Sequence, residues 1–459
     1  MITNDILEDL KSIFGDRVTS SASERLCYAS DASQVRGMPD YVARPKDATE
    51  ICQVIRLASE HLIPITPRGA GTGLAGGSSP VKGGIVLDMS GMNRILEIDI
   101  ENQQVIVEPG VVAEKLNMAL KPHGFFFPPD PGSISMCTIG GMISYNSSGM
   151  RSVKYGTVKN YILDLNVVLA DGRVIHTGGK VLKSSAGYDL TRLFAGSEGT
   201  LGIITCATLK IAPLPKTRKL VLACFDDAEI AGRSVIQVFS NGIVPSACEI
   251  LDKTTLRVLK LCDPNLAIAE EGDVILFEVD GTEGSTDDAA MQITKTCQPL
   301  ARSVRVVAGQ QMDSIWAARR LVGAAISRLD PSRTRIYMGE DVGVPIKEIP
   351  SLIHKVQQIA SKLDIPAMKY GHIGDGNLHV ALFINVNDRA QWEKLYQAAD
   401  RIHRAALDLG GTVSSEHGIG LARAEYLPEQ LGPDAFSLMK MIKNSLDPKG
   451  ILNPGKMGL

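Results

Sequence analysis

Three glycine-rich segments in the first half of the chain constrain its fold more than any other feature. They are residues 67–79, 128–149 and 196–204, and each combines glycine with serine or threonine. Because glycine has no Cβ, successive backbone N–H groups in such segments can converge on an anion such as a phosphate. Three unrelated surface turns would cost backbone entropy at every glycine without explaining the hydroxyl residues. The three segments together therefore predict a cofactor site that holds phosphate.

Residues 71–76 match the pattern Gly-x-Gly-x-x-Gly. That pattern indicates a Rossmann dinucleotide site only where it opens a helix whose N-terminus faces the pyrophosphate. Here the pattern is followed by Gly77, Ser78, Ser79 and Pro80, which cannot propagate a helix. The segment is therefore interpreted as a loop around a phosphate and not as a Rossmann turn.

Charge and cysteine content exclude several classes of partner and cofactor. The 459 residues contain 48 Lys and Arg against 51 Asp and Glu, so no basic excess is available to bind nucleic acid. The eight cysteines occur singly, without any Cys-x-x-Cys, which argues against iron–sulfur clusters, zinc knuckles and a disulfide framework. No run approaches the ~18 apolar residues of a membrane span, and the acidic N-terminal segment is unlike a targeting peptide. We therefore predict a cytoplasmic protein with no membrane span and no nucleic-acid partner.

Local patterns predict several secondary-structure elements. Asp47 and Glu50 are spaced as a capping box at the start of a helix, whose apolar stripe is expected to reach Leu62. Asp-Gly at residues 171–172, between two strand-like runs, predicts a β-hairpin. In the second half of the chain strands alternate with helices, one of which is predicted over residues 313–328.

Four histidines fall between residues 372 and 417, and three of them lie close to a glutamate or to one another. His372 and His379 lie on two strand-like arms around Gly-Asp-Gly at residues 374–376, so they are expected to meet across a turn. Glu416 and His417 add a carboxylate and a further imidazole. Two histidines and a glutamate suit zinc or manganese with positions left open for substrate. Spacing alone, however, leaves a ligand role and a packing role equally open.

The three glycine segments, Tyr155-Gly156 and Asn453-Pro454-Gly455-Lys456 together resemble the FAD-binding flavoproteins of the vanillyl-alcohol oxidase and p-cresol methylhydroxylase type. Within that type the chain resembles the branch that contains the glycolate oxidase D subunit, FAD-linked D-lactate dehydrogenases and D-2-hydroxyglutarate dehydrogenase. The resemblance implies an α+β fold with four parts, namely a helical lead-in (1–34), a two-lobed FAD-binding domain (35–214), a ferredoxin-like α/β cap domain for substrate and metal (215–420) and a C-terminal segment returning to the flavin (421–459).

The resemblance also assigns the contacts with FAD. Those around the pyrophosphate are Pro67, Arg68, Gly69, Ala70, Gly71, Thr72, Gly73, Leu74 and Ser78, and those on its other side are Pro131, Gly132, Ser133, Thr138, Gly140, Gly141, Asn146 and Gly149. Those near the adenine and ribose are Glu198, Gly199, Gly202 and Ile204, and Asn453 is assigned to the isoalloxazine. Relatives that tether FAD covalently use His or Cys in these segments, and Cys137 is the candidate here. Because a small buried Cys is more often a packing residue, we predict non-covalent FAD.

Catalytic roles follow from the same resemblance. It implies a divalent metal, zinc or manganese with iron as an alternative, bound by His372, His379 and Glu416. It makes His417 the base and Asn377 a polar contact of the substrate. Arg319, in a Trp-x-x-Arg pattern, is implied to clamp the substrate carboxylate, a task that suits a planar and permanently charged guanidinium. Arg320 is interpreted as a solvated neighbour.

Relatives that act on D-2-hydroxyglutarate carry a lysine near residues 337–341, and this chain has none there, which favours a short substrate. We therefore predict FAD-dependent oxidation of a short D-2-hydroxyacid, D-lactate or glycolate, to the 2-oxoacid, with hydride transfer to flavin N5. The alternatives are a flavin oxidase of alcohols or hydroxyacids that uses O2, a flavin subunit of an electron-transfer complex, and a metal-dependent hydrolase.

The electron acceptor is expected to be another protein. The sequence supplies no second redox centre, neither Cys-x-x-Cys nor a haem-attachment motif. The resemblance points to an electron-transferring flavoprotein or an iron–sulfur subunit as that acceptor, and it leaves homo-oligomerisation open.

Overall fold

The computed structural model describes residues 4–33, 35–264, 266, 268, 272–322 and 330–459. The helices described there are α1 (Asn4–Phe14), α2 (Ala22–Cys27), α3 (Ala48–His61), α4 (Ala113–Leu120), α5 (Ile139–Tyr145), α6 (Ser152–Tyr155), α7 (Leu190–Phe194), α8 (Ala228–Ser240), α9 (Lys253–Cys262), α10 (Glu283–Cys297), α11 (Gly309–Arg320), α12 (Ile349–Leu363), α13 (Arg389–Asp408), α14 (Leu427–Leu431) and α15 (Pro433–Leu446).

The strands described there are β1 (Val18–Thr19), β2 (Tyr41–Ala43), β3 (Ile65–Arg68), β4 (Ile85–Asp88), β5 (Ile95–Asp99), β6 (Gln104–Val107), β7 (Phe125–Phe126), β8 (Ile162–Val168), β9 (Val174–His176), β10 (Ile203–Lys210), β11 (Ala212–Pro213), β12 (Thr217–Phe225), β13 (Ala247–Leu251), β14 (Asp273–Gly281), β15 (Ser303–Val307), β16 (Thr334–Ile336), β17 (Asp341–Gly343), β18 (Ala367–Gly371) and β19 (Asn377–Ile384).

The chain divides into two compact units. Unit 1 comprises Met1–Ser148, Thr157–Leu214 and Glu416–Leu459, and unit 2 comprises Gly149–Gly156 and Pro215–Ser415. The predicted lead-in falls within unit 1, as does the C-terminal segment.

Unit 1 contains two larger sheets. In the first, with strand order β1-β2-β4-β3, strands β2 and β3 both pair parallel to β4. The second is antiparallel with strand order β5-β6-β10-β8-β9. Helix α3 packs on the first sheet through a cluster that includes fully buried Ile51, Ile55 and Ala58.

Two local predictions in unit 1 are confirmed. The Asp47 side chain accepts a hydrogen bond from the Glu50 N–H and caps α3. The hairpin turn at residues 171–172 joins β8 to β9, with Gly172 at φ 77°. The predicted apolar stripe of α3 is wrong at its end, because Leu62 is the left-handed residue that terminates the helix and is 63% exposed.

Unit 2 is one antiparallel sheet with helices on both faces. Its strand order is β15-β12-β14-β13-β18-β19-β16, and β17 also pairs with β19. Side chains alternate across β12, so that Val221 packs with α8, α10 and α12, whereas Leu222 packs with α9 and α11. The helix predicted over residues 313–328 is described as α11 (Gly309–Arg320), and residues 323–329 lie outside the described residues.

The two units together combine parallel and antiparallel sheets with packed helices, which confirms the predicted α+β class. Among the described residues, no helix is both long enough and apolar enough to cross a membrane.

Candidate functional site

The three glycine segments meet at one cavity in unit 1. Every residue predicted to contact FAD lines this cavity except Asn146, Gly149 and Asn453. The segments are also in contact with one another, since a Cβ added to Gly69 would lie 2.2 Å from the Thr138 hydroxyl oxygen, and one added to Gly199 would lie 2.5 Å from Pro67. Glycine is therefore required where one segment packs directly on the next.

The cavity wall includes a buried cation. The Arg68 guanidinium fills the space beside Gly71 and donates a hydrogen bond from Nη1 to the Ser30 carbonyl at 2.9 Å. Burial lowers the pKa of Arg68, and the nearby Asp31 partly opposes this shift. A glycine-lined cavity with a guanidinium in its wall suits a pyrophosphate, so the residues present fit FAD.

The three predicted residues that do not line the cavity have structural contacts. The Asn453 side-chain amide, in a residue with φ 43°, donates 2.7 Å hydrogen bonds to the carbonyls of Gly77 and Glu198 and so joins the first segment to the third. The side-chain oxygen of Asn146 accepts from Lys159 N–H. The Gly149 N–H donates to the Ser152 hydroxyl at 2.9 Å within unit 2.

The cavity is also lined by residues that the sequence did not single out as FAD contacts, namely Gly77, Met89, Pro109, Met142, Ser144, Tyr145, Ser147, Ile203, Glu416 and His417. Several adjoin the glycine segments and could have been included on that ground, whereas Met89 and Pro109 carry no such signal. Cys137, the candidate for a covalent link, lines the cavity as well. Burial raises the pKa of the Cys137 thiol to about 11, which keeps it protonated and unreactive near neutral pH.

The predicted base His417 and the predicted metal ligand Glu416 both line this cavity, together with the glycine segments.

A buried carboxylate in unit 2 connects two of the predicted site residues. Glu249, in β13, has no solvent exposure. Its Oε2 accepts hydrogen bonds from Nε and Nη2 of Arg319 at 2.8 and 2.6 Å, and its Oε1 contacts Nδ1 of His372. Burial raises the pKa of Glu249, but the combined effect of His372 and Arg319 lowers it by more. The pKa of Glu249 therefore lies below its usual value. Sequence reasoning missed Glu249 entirely.

The two predicted histidine ligands are neighbours in unit 2. The ring centroids of His372 and His379 lie 5.2 Å apart in an edge-to-face arrangement, and a nitrogen of one ring lies within 4.8 Å of a nitrogen of the other. Strands β18 and β19 form the two predicted arms, with Tyr370 opposite His379. His379 lies within β19 as predicted, whereas His372 follows the last residue of β18, Gly371. Because Glu249 engages Nδ1 of His372, a metal would bind its Nε2, and a carboxylate in that place orients such a ligand. The two imidazoles therefore fit a divalent metal.

The remaining predicted residues have distinct surroundings. Arg319 is buried and stacks over the Tyr370 ring, with its guanidinium carbon 5.0 Å from the ring centroid, whereas Arg320 is exposed as expected. The Asn377 amide nitrogen donates to Asp341 at 2.9 Å, and the buried side-chain oxygen of Asn377 has no hydrogen-bond partner among the described residues. The predicted metal ligands are divided, since His372 and His379 belong to unit 2 and Glu416 to unit 1.

A glycine-lined cavity in one unit and a buried histidine–arginine–glutamate cluster in the other define a cofactor-dependent enzyme. Residues 39–178 match the family described as FAD binding domain, and residues 214–457 match the family described as FAD linked oxidases, C-terminal domain. The chain belongs to this FAD-linked oxidase family and is an FAD-linked oxidoreductase.

Named relatives agree over nearly the full length. The chain is 41% identical to the glycolate oxidase subunit GlcD of Bacillus subtilis (strain 168), over 100% of this chain and 97% of the relative. It is 34% identical to the probable mitochondrial D-lactate dehydrogenase of Danio rerio, over 98% of this chain and 91% of the relative. It is 36% identical to a D-lactate dehydrogenase of Archaeoglobus fulgidus, over 91% of this chain and 90% of the relative.

A solved structure shares the fold. The crystal structure of p-cresol methylhydroxylase with substrate bound superposes with a TM-score of 0.79 at 17% identity, over 99% of this chain and 96% of that chain. This structure confirms the predicted fold, whereas the two family matches and the named relatives confirm the predicted family resemblance.

Proposed function

We propose that this chain oxidises a short D-2-hydroxyacid, D-lactate or glycolate, to the corresponding 2-oxoacid. The observation that carries the proposal is the Glu249 carboxylate, which holds Arg319 and His372 on its two oxygens. A guanidinium fixed in this way can bind a substrate carboxylate, while the imidazole beside it can bind a metal. The names of the relatives in Bacillus subtilis and Danio rerio support the same substrate class.

Each side chain has a role in this reaction. Bound FAD supplies a hydride acceptor at N5, and a divalent metal, zinc or manganese with iron as an alternative, supplies Lewis acidity. Arg319 binds the substrate carboxylate and orients C2. His417 removes the proton of the 2-hydroxyl group, and Asn377 accepts a hydrogen bond from a polar group of the substrate. His372, His379 and Glu416 hold the metal.

The short substrate is supported by the segment at residues 337–341. This segment contains no lysine, and the nearby buried Arg335 is paired with Glu340 and contacts the Tyr370 hydroxyl. The segment therefore offers no ammonium group for a second substrate carboxylate.

We further propose that a separate protein, an electron-transferring flavoprotein or an iron–sulfur subunit, accepts the electrons in the cytoplasm. The relative in Bacillus subtilis is named as a subunit, and this sequence has no Cys-x-x-Cys for a second redox centre of its own.

The test is anaerobic reduction of the purified holoenzyme with a panel of D- and L-2-hydroxyacids, followed by reoxidation with O2, with a dye and with candidate acceptor proteins. We expect D-lactate or glycolate to bleach the flavin, L-lactate to do so far more slowly, and O2 to react slowly. Stoichiometric peroxide formation at the dye-coupled rate would identify an oxidase instead.

A further inference from the structure

The Glu198 carboxylate binds the backbone that follows His417. Its Oε1 accepts a hydrogen bond from the Ile419 N–H at 2.8 Å, and its Oε2 accepts one from the Gly420 N–H at 2.8 Å. Both oxygens are thus used on two consecutive amides, 221 and 222 residues away in sequence. Such charge-assisted hydrogen bonds are stronger than neutral ones and fix the orientation of the peptide groups they bind.

The turn after His417 is held on its other sides as well. A Cβ added to Gly418 would lie 2.6 Å from the Tyr145 ring, and one added to Gly420 would lie 2.0 Å from the Ala75 carbonyl oxygen. The Leu421 N–H donates to that same carbonyl at 2.7 Å. Residues 418–421 therefore have little freedom to move as long as Glu198 stays in place.

Glu198 occupies an unfavourable backbone conformation. Its φ is +52°, in the left-handed region that residues other than Gly and Asn rarely adopt. The Asn453 side-chain amide donates a hydrogen bond to the carbonyl of Glu198 in this conformation. Strain of this kind persists where the surroundings enforce it and is concentrated at functional sites. Glu198 is also buried, and burial raises its pKa to about 7 although the Gly420 and Ile419 amides oppose this shift, so its ionised form is kept at a cost in solvation. A residue that only packed against its neighbours in the cavity wall would need neither the left-handed backbone conformation nor the buried carboxylate.

We propose that Glu198 is a positioning residue that sets His417 at the wall of the cavity through the backbone of residues 418–420. His417 and Glu198 both line that cavity, so a shift of the turn would displace the imidazole from the reacting hydroxyl. The inference rests on the proposed function, in which His417 is the base. Glu198 orients that base and does not itself exchange a proton with the substrate.

The chain offers a matched control for a purely structural effect. Asp447, also buried, accepts hydrogen bonds from two consecutive amides, those of Ile451 at 3.0 Å and Leu452 at 2.7 Å, and lies outside the lining of the cavity. Glu198→Gln and Asp447→Asn therefore each remove a buried carboxylate that binds two consecutive amides of unit 1, and Asp447→Asn also removes the partner of the buried Lys443 ammonium. Each amide side chain keeps one acceptor oxygen and turns an N–H donor towards the other backbone N–H.

The experiment compares both variants and His417→Ala as FAD-loaded enzymes. Anaerobic stopped-flow reduction by D-lactate or glycolate, normalised to bound flavin, gives a limiting rate and an apparent Kd. We expect Glu198→Gln to lower the limiting rate about 10- to 100-fold, as for a small misplacement of a catalytic group, with the apparent Kd changed less than about threefold. Hydrogen exchange should become faster at residues 418–420 in this variant. Asp447→Asn should lower the melting temperature and leave the limiting rate unchanged.

The outcomes separate this inference from the proposed function. If His417→Ala is slow while Glu198→Gln reduces at the wild-type rate, the positioning role is wrong and the proposed base stands. Parallel losses of rate in Glu198→Gln and Asp447→Asn would show a structural effect and overturn the inference. If His417→Ala reduces at the wild-type rate, the proposed base is wrong and the inference fails with it. Should Glu198→Gln not retain FAD, Glu198→Asp, which keeps the charge but is shorter by one methylene, is tested by the same criteria.

Discussion

Glu249→Gln tests whether one buried carboxylate organises the predicted substrate and metal residues of unit 2. The wild-type side chain has no exposure and gives one oxygen to Arg319 and the other to His372. A glutamine keeps a single acceptor oxygen. If that oxygen stays with Arg319, the amide N–H₂ faces Nδ1 of His372, which must then accept. The proton of the neutral imidazole moves to Nε2, the atom that a metal would need.

The expected magnitudes follow from burial. Removing one partner from a buried ion pair costs about 3–5 kcal/mol in the free energy of unfolding. At about 2–4 °C per kcal/mol for a unit of this size, the melting temperature should fall by roughly 6–20 °C. Loss of an orienting partner behind a metal ligand typically lowers metal affinity about 10- to 100-fold. Substrate affinity should fall as well, because Arg319 loses its fixed orientation.

Glu278→Gln is the matched control. Glu278 is equally buried in the same sheet and pairs with Arg151 at 3.1 Å, but it contacts neither His372 nor Arg319 in the described contacts. Both variants should unfold at lower temperature in differential scanning calorimetry. Equilibrium dialysis with metal analysis should show weakened metal binding in Glu249→Gln alone. Wild-type metal affinity and wild-type kcat/KM in folded Glu249→Gln would refute the reasoning.

Other predictions concern the cofactors and the clamp. Acid or heat denaturation should release the flavin into the supernatant, and colour that stays with the precipitate would indicate a covalent link at Cys137. A chelator should abolish turnover while FAD stays bound. The variant His379→Ala should lower kcat/KM on the order of 100-fold or more. Full activity of the metal-free protein would contradict the metal assignment. Arg319→Lys should fold but lose most activity, because an ammonium group, unlike a guanidinium, cannot bind Glu249 along one edge and a substrate carboxylate along another. Arg320→Lys should have almost no effect on activity. Equal losses of activity in the two variants in steady-state assays would place the carboxylate clamp at another residue.

Local signals in the sequence predicted local structure well. The cap at Asp47 and the hairpin at residues 171–172 each depend on residues within a few positions of one another. The glycine segments were identified because a missing Cβ is visible in the sequence wherever a backbone must approach another group closely. Leu62 was assigned to the wrong surface because the periodicity of α3 does not show at which residue the helix ends.

The residues that orient the site could not be found in this way. Glu249 lies 123 residues from His372 and 70 from Arg319, and Glu198 lies 221 residues from Ile419. A glutamate in a strand normally indicates a solvated position, and nothing near Glu249 in sequence marks it as buried. Residue types that bind a cofactor or substrate are restricted by that chemistry, so motifs reveal them. The carboxylates behind them are restricted only by pairings formed on folding, so the partners that aim Arg319, His372 and His417 become visible only in three dimensions.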